Sequence, residues 1–223
     1  MNKISVIMRV KNEERFIGHS IQSIIEFLPG VEIIIIDNNS NDNSINIAKH
    51  FQKDPKLDNS DILRYTNMKF LNIDNYTPGK ALNLGIKESS FDECLVISAH
   101  CIIKKINIKD HLNDLSKYKS IFGKQIPVWN GKKIRPRYVW SHFGDDKIVN
   151  MYSDLENRYF HHNAASFYKK SFLLERPFDS NLQSKEDRYW ANDIINDKNE
   201  ILYDPSFQVF HHYTINGNTW KGI

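Results

Sequence analysis

The run Val31-Glu32-Ile33-Ile34-Ile35-Ile36-Asp37 limits the folds open to this chain more than any other stretch. Its consecutive isoleucines leave no polar side for a strand with one wet face, nor for an amphipathic helix. It is also too short and too β-branched for a buried helix. The run therefore predicts a strand covered on both faces, the environment of a parallel sheet with helices above and below.

The flanking residues support that reading. Ile4 to Val10 form a first apolar run. Between the two runs, Phe16, Ile17, Ile21, Ile24, Ile25 and Leu28 recur at helical spacing, and Pro29-Gly30 ends the helix. The unit is strand, helix, parallel strand, with a right-handed crossover. A second helix follows, with Ser40 or Asn41 as its cap. "DILRYTNMKFL" predicts a third strand, "TPGKALNLGIKESS" a short helix, and "ECLVISAH" a fourth strand ending at His100. The expected fold is α/β: an open, mostly parallel twisted sheet with helices on both faces. Beyond residue 103 the order loosens. "IKDHLNDLSKY" predicts a helix, "SIFGKQIPVW" a strand followed by a turn, and residues 130–159 an aromatic, polar segment that is an active-site loop or an excursion over a cleft. "HNAASFYKKSFLLE" turns from strand into helix, "EDRYWANDIIN" is helical, and "EILYDPSFQVFHHY" is two strands with a turn at Asp204-Pro205. The 223 residues read as one domain over 1–223, with halves 1–103 and 104–223 and a smaller second region.

Composition removes several function classes. A net charge of +3 with dispersed Lys and Arg argues against nucleic acid. Mean hydropathy is −0.53, and no apolar run has the ~20 residues of a membrane-spanning helix. The opening "MNKISVIMRVKNEER" is no secretory signal, so membrane contact would be peripheral. Cys94 and Cys101 show no disulfide or metal spacing, which places the chain in a reducing cytoplasm, at most at the inner face of a membrane. Each is expected to be a small buried apolar group.

Polar residues collect where the strands end: Arg9, Lys11, Asn12 and Glu13 after the first, Asp37, Asn38 and Ser40 after the second, Ser98 and His100 after the fourth. Open α/β sheets bind ligands at that edge. Taken singly, each residue also reads as an ordinary loop or cap residue; three clusters together point to a site.

The strings "ISVIMRVKNEERFI", "EIIIIDNNSNDNSINIA", "GKALNLGI", "CLVISAHC", "FGKQIP", "FHNAASFYKKS", "RPFD", "KEDRYWA" and "YDPSFQVFHH" stand in the order seen in family 2 glycosyltransferases of the GT-A fold. The chain resembles that family from about residue 4 to 212, and within it bacterial enzymes with "RxKNE" after the first strand and "SAHC" after the fourth. The resemblance implies inverting transfer of a sugar from a nucleotide-sugar donor to a hydroxyl of a glycan or lipid-linked acceptor, in bacterial surface polysaccharide synthesis (capsule, lipopolysaccharide or O-antigen).

It also implies roles. Asp187, in "KED", matches the carboxylate that deprotonates the acceptor, with Glu186 beside it; both also suit a helix start by charge. Arg9, Asn12, Glu13, Asp37, Asn38, Lys80, Asn83 and Ser98 match the nucleotide pocket. Lys80 suits phosphate as a mobile point charge, although most lysines are simply solvated. An amide at Asn38 both donates and accepts, so it does not select the base. The family's DxD motif is replaced by Ser98-Ala99-His100. His100 and His211 then stand at a metal or phosphate position, and each equally suits a core histidine. Imidazole admits manganese and disfavours magnesium, so magnesium dependence is doubtful and a metal-free site is the alternative. Gln125, Trp129, Arg137 and Asn163 are the acceptor-side candidates, because aromatic faces stack on sugars and Arg forks grip anions.

Competing functions fit less well. A dinucleotide oxidoreductase needs a Gly-rich turn after the first strand, and "RVKNEE" has no glycine. A nucleotidyltransferase would carry a Gly- and Arg-rich loop there. A non-catalytic sugar-binding relative is suggested by the lost DxD but opposed by the retained Glu186, Asp187 and His211.

Overall fold

The computed structural model describes residues 3–52, 66–135 and 142–214. The first strand, β1 (Ile4–Val10), is followed by α1 (Ile17–Phe27) and β2 (Glu32–Asp37). Next come α2 (Ser44–Lys49), β3 (Asn67–Asn72), α3 (Pro78–Glu88) and β4 (Glu93–Ile97). β5 (Cys101–Lys105), α4 (Ile108–Asp114) and β6 (Ser120–Trp129) continue the chain. Four two-residue strands follow: β7 (Lys132–Lys133), β8 (Ile148–Val149), β9 (Tyr152–Ser153) and β10 (Arg158–Tyr159). The last elements are β11 (Ala165–Lys169), α5 (Lys170–Glu175), α6 (Glu186–Asn196) and β12 (Ile201–His212).

The main sheet runs β3-β2-β1-β4-β11-β6-β12-β5, with β7 on β6 and β8 on β12. β3, β2, β1 and β4 pair in parallel, as the isoleucine run requires. The run is covered from both sides. Ile33 and Ile35 pack with Ile17, Ile21 and Ile24 of α1 and Ala48 of α2. Ile34 and Ile36 pack with Ala81, Leu82 and Ile86 of α3 and Ile194 of α6. Gly85 lets α3 sit close: a Cβ there would lie 2.6 Å from Ile7 Cγ2 and 2.9 Å from Ile36 Cδ1.

Glu32, the one charged residue inside that run, closes the edge of the sheet away from the strand ends. Its carboxylate accepts from Ser5 Oγ (2.7 Å), Ser90 N (2.9 Å) and Ser90 Oγ (2.7 Å), and pairs with Lys69 Nζ at 2.9 Å. Burial works against its charge, but Lys69, Ser5 and Ser90 outweigh that and hold the carboxyl below its ordinary range.

Beyond β4 the sheet departs from simple parallel order. β11 inserts antiparallel to both β4 and β6, β12 runs parallel to β6, and β5 is antiparallel to β12 at the edge. Three boundaries also differ from expectation. β4 stops at Ile97, because Ser98 O accepts from Cys101 N at 2.9 Å and turns the chain into β5. The second helix begins at Ser44, not after Ser40 or Asn41: Asp42 Oδ1 accepts from Ser44 N, while Ser40 Oγ is taken by Asn12 N. Asp204-Pro205 does not split two strands. Proline has no N–H to give the ladder, so β12 stays continuous and its register shifts between Asp204 and Gln208. The aromatic excursion carries the short strands β7 to β10 and the described part of an aromatic cluster in which Phe143 stacks on Tyr203; residues 136–141 lie outside the described residues.

Candidate active site

Two backbone features aim the polar edge. Lys185 adopts φ 60, and Glu186 and Asp187 follow it in the first turn of α6. Asn12 adopts φ 53 just after β1. Asparagine tolerates the left-handed region; lysine does so at some cost, and such residues cluster at functional sites.

The α6 carboxylates are buried against β1. Glu186 Oε1 pairs with Arg9 Nη1 at 2.9 Å and lies 3.4 Å from Asn163 Nδ2. Asp187 Oδ2 accepts from Asn163 N at 3.1 Å, and its Oδ1 accepts from Arg188 N at 2.8 Å. The Tyr168 hydroxyl donates to Asn163 Oδ1. Asp187 is only 9% exposed. Burial, and then the neighbouring Glu186, push its carboxyl up to about 6, although Arg188, Asn163 and Arg9 pull the other way. A carboxylate tuned into that range accepts a proton efficiently near neutral pH. Arg9 stays cationic: Glu186 outweighs the burial penalty and raises its affinity for its proton.

A second cluster lies at the end of β4. His100 Nδ1 is 2.9 Å from Glu13 Oε1, and the His100 and His211 rings stand 4.9 Å apart. His211 Nδ1 bonds Gln125 Oε1. Burial, with repulsion from His100, keeps His211 neutral, well below its ordinary pKa. Glu13 Oε2 is buried and has no partner among the described residues.

The remaining sequence candidates divide. Asp37 Oδ1 caps Ser40 N at 3.0 Å, Asn12 Oδ1 accepts from Asn41 N at 2.9 Å, and Asn38 N bonds Val10 O, so β1 and β2 end in one interlocked loop pair. Ser98 N bonds Ala164 O, beside Asn163. Lys80 is exposed, its Nζ 3.5 Å from Asn75 O. Asn83 is turned elsewhere: its amide donates to Phe178 O at 2.8 Å and accepts from Phe178 N at 3.1 Å. Trp129 is 48% exposed, edge-on to Tyr213. Arg137 lies outside the described residues. Arg188 escaped the sequence reading. Its guanidinium sits 4.9 Å over the Phe160 ring and pairs with Glu156 at 2.8 Å. Its place directly after "KED" was the signal available.

The family model described as glycosyl transferase family 2 matches residues 5–180. The chain belongs to that family. A dolichyl N-acetyl-α-D-glucosaminyl phosphate 3-β-D-2,3-diacetamido-2,3-dideoxy-β-D-glucuronosyltransferase of Methanococcus voltae is 29% identical over 122 residues, 53% of this chain and 36% of the relative. Among solved structures, S. aureus TarS 1–349 in complex with UDP-GlcNAc aligns with TM-score 0.69 and 19% identity, covering 97% of this chain and 60% of that one. GalNAc-T7 with UDP, GalNAc and Mn2+ aligns with TM-score 0.63 and 17% identity, covering 96% and 44%. The chain thus spans about a third of the curated relative and three fifths of the TarS fragment. The likeness to TarS and GalNAc-T7 bears out the expected GT-A-like fold.

The Mn2+ in the GalNAc-T7 structure raises the question of a metal in this family 2 chain. The residues present do not fit one. Among the described residues no three His, Cys, Asp or Glu side chains converge as ligands. His100 and His211, whose Nδ1 atoms are engaged by Glu13 and Gln125, leave two Nε2 atoms between them, short of the three or more protein ligands of a dedicated site. The described residues likewise contain no helix long and apolar enough to cross a membrane.

Proposed function

We propose that this family 2 chain is an inverting glycosyltransferase that moves a sugar from a nucleotide-sugar to a hydroxyl of a glycan or lipid-linked acceptor. The observation that carries the reading is the buried Glu186–Asp187 pair, in which Asp187 holds a proton up to about pH 6. Inverting transfer needs one base on the face of the sugar opposite the leaving group, by the same opposed-group logic as inverting hydrolysis. Asp187 takes the acceptor proton. Asn163 and Arg188 hold its two oxygens, and Glu186, anchored by Arg9, supplies the neighbouring negative charge. Residues 1–103 form the nucleotide-sugar half and residues 104–223 the acceptor and catalytic half. Asp37, Asn38, Asn12 and Glu13 line the nucleoside side, and Lys80, Ser98, His100 and His211 face the departing phosphates. Gln125, Trp129, Arg137 and Asn163 serve the acceptor.

Departure of the nucleotide leaves negative charge on phosphate. Here Lys80 neutralises it, and Glu13, bonded to Nδ1, fixes the orientation of the His100 ring beside it. The TarS complex makes UDP the first nucleotide to test. The cell role that fits is bacterial surface polysaccharide synthesis at the cytoplasmic face of a membrane, with peripheral contact only. A thermal-shift panel of UDP, GDP, CMP and dTDP tests the reading, since a bound nucleotide raises the melting temperature by mass action. One nucleotide should stand out, and substitution of Asp37 should abolish its shift. A flat panel would overturn the nucleotide-sugar assignment.

A further inference from the structure

A cavity of about 430 Å³ opens beside the strand ends, lined by Arg15, Phe16 and His19 from the start of α1 and by Ile102, His212 and Tyr213 from the sheet edge. Its size is that of a small-molecule site. Residues paired across strands share a face of the sheet, and successive residues alternate. His212 pairs with Val128, and Val128 with Lys133; Phe210 pairs with Ile102. These side chains therefore share one face, and His211, with its Gln125 and His100 neighbours, points to the other.

The wall carries one permanent cation, Arg15, and two imidazoles, His19 and His212, with no carboxylate among the lining residues. Arg15 lies 5.3 Å over the Phe16 ring, and Phe16 stacks on His212 at 4.7 Å. Lys133 and Lys104 approach the Phe210 ring on the same face, at 5.6 and 6.0 Å. Among the described residues no carboxylate pairs with Arg15, His19 or His212. The nearest in sequence, Glu14, is turned away to accept from Asn43 N. Burial, then the nearby His100, His19 and Arg15 side chains, disfavour a proton on His212. A guanidinium with imidazoles beside it and no carboxylate to pair with it suits an anion. The flat, apolar Phe16, Ile102 and Val128 surfaces beside them suit an ester's carbon portion better than a bare ion.

We propose that this cavity is a second anion site, which takes a phosphate ester separately from the phosphates of the nucleotide donor. Resting on the transferase reading, the phosphate is assigned to the acceptor: Arg15 forks onto its oxygens, His19 adds a donor, and the Phe16–His212 stack carries the attached carbon skeleton.

The test uses the full chain with no donor present, so its result is independent of turnover. Amide shifts are followed by NMR during titration with glycerol 1-phosphate, inorganic phosphate, glycerol and UDP. Saturable shifts at Arg15, His19 and His212 are expected with glycerol 1-phosphate and not with glycerol. Tighter binding of the ester than of inorganic phosphate supports an acceptor source; equal binding assigns the site to free phosphate. Arg15→Gln with His19→Gln should weaken ester binding at least tenfold, Arg15→Lys should restore part of it, and UDP affinity should not change. No phosphate binding, full binding by the double variant with an unchanged melting curve, or equal loss of UDP would overturn the proposal. A UDP that fails to bind the parent chain while the ester still binds would count against the transferase reading alone.

Discussion

Asp187→Asn should make the protein slower and, above neutrality, more stable. Burial and Glu186 carry the carboxyl from 3.8 to about 6. That displacement corresponds to about 3 kcal/mol against ionisation in the folded state. Below pH 3.8 the carboxyl is protonated whether folded or unfolded, and it costs nothing. As pH rises, the unfolded chain releases the proton first, so the fold loses stability until about pH 6 and then levels off. Asparagine has the same shape and no such penalty. The melting temperature of Asp187→Asn relative to the parent should therefore rise between pH 4 and pH 7.5. About 2.5 kcal/mol of the difference falls in that window, which is ~5–10 °C for a chain of this size. Turnover should fall by about 10²–10⁴, with nucleotide affinity preserved. Differential scanning calorimetry at the two pH values, beside a donor-consumption assay, reads both effects. A melting difference that does not change with pH would refute the buried-carboxylate argument, and near-parental turnover would remove Asp187 as the base.

Three further outcomes follow from the same site. Parental turnover should drop tenfold per pH unit below about 6, and Arg9→Gln should move that limb to higher pH, since it removes a positive charge that favours ionised Asp187; stripping Glu186 of its partner should also cost about 3 kcal/mol in a denaturant melt. Lys80→Ala should weaken nucleotide binding about tenfold (one charge-assisted contact) and leave the melting temperature unchanged, because Lys80 Nζ has only a 3.5 Å contact with Asn75 O. Chelator treatment should leave turnover within about twofold, since no three ligating side chains converge among the described residues; loss of activity restored by magnesium would contradict it.

The parallel half of the sheet was legible because its signal is local. The isoleucines of β2, the helical spacing in α1 and the proline start of α3 each declare themselves within a dozen residues. The antiparallel insertion of β11 between β4 and β6 was not, because its pairing partners lie more than forty residues away and leave no trace in a local pattern. The same division runs through the site. Glu186 and Asp187 were singled out by the likeness of a short string to the family's motif, at a helix start. Their partners were not, since Arg9 meets Glu186 across the length of the chain. Asn83 shows the converse: a polar residue in a matching string whose amide is held by Phe178. The early stop of β4 was missed because the turn from Ser98 to Cys101 contains neither glycine nor proline.

The junction between α3 and the chain leading into α6 has a wider consequence. Thr77 Oγ1 donates to Ser180 O at 2.8 Å, Asn83 and Phe178 exchange a pair of bonds, and a Cβ on Gly79 would lie 2.2 Å from Asp179 O. Segments about a hundred residues apart thus sit as near to one another as adjoining turns of a helix. The spacing between α3 and the chain entering α6 is set across this seam and not along the intervening polypeptide. Lengthening the loops between them carries only a slowly growing entropic cost. Insertions in the polypeptide between them are therefore expected to leave the position of α3 against the first turn of α6 unchanged.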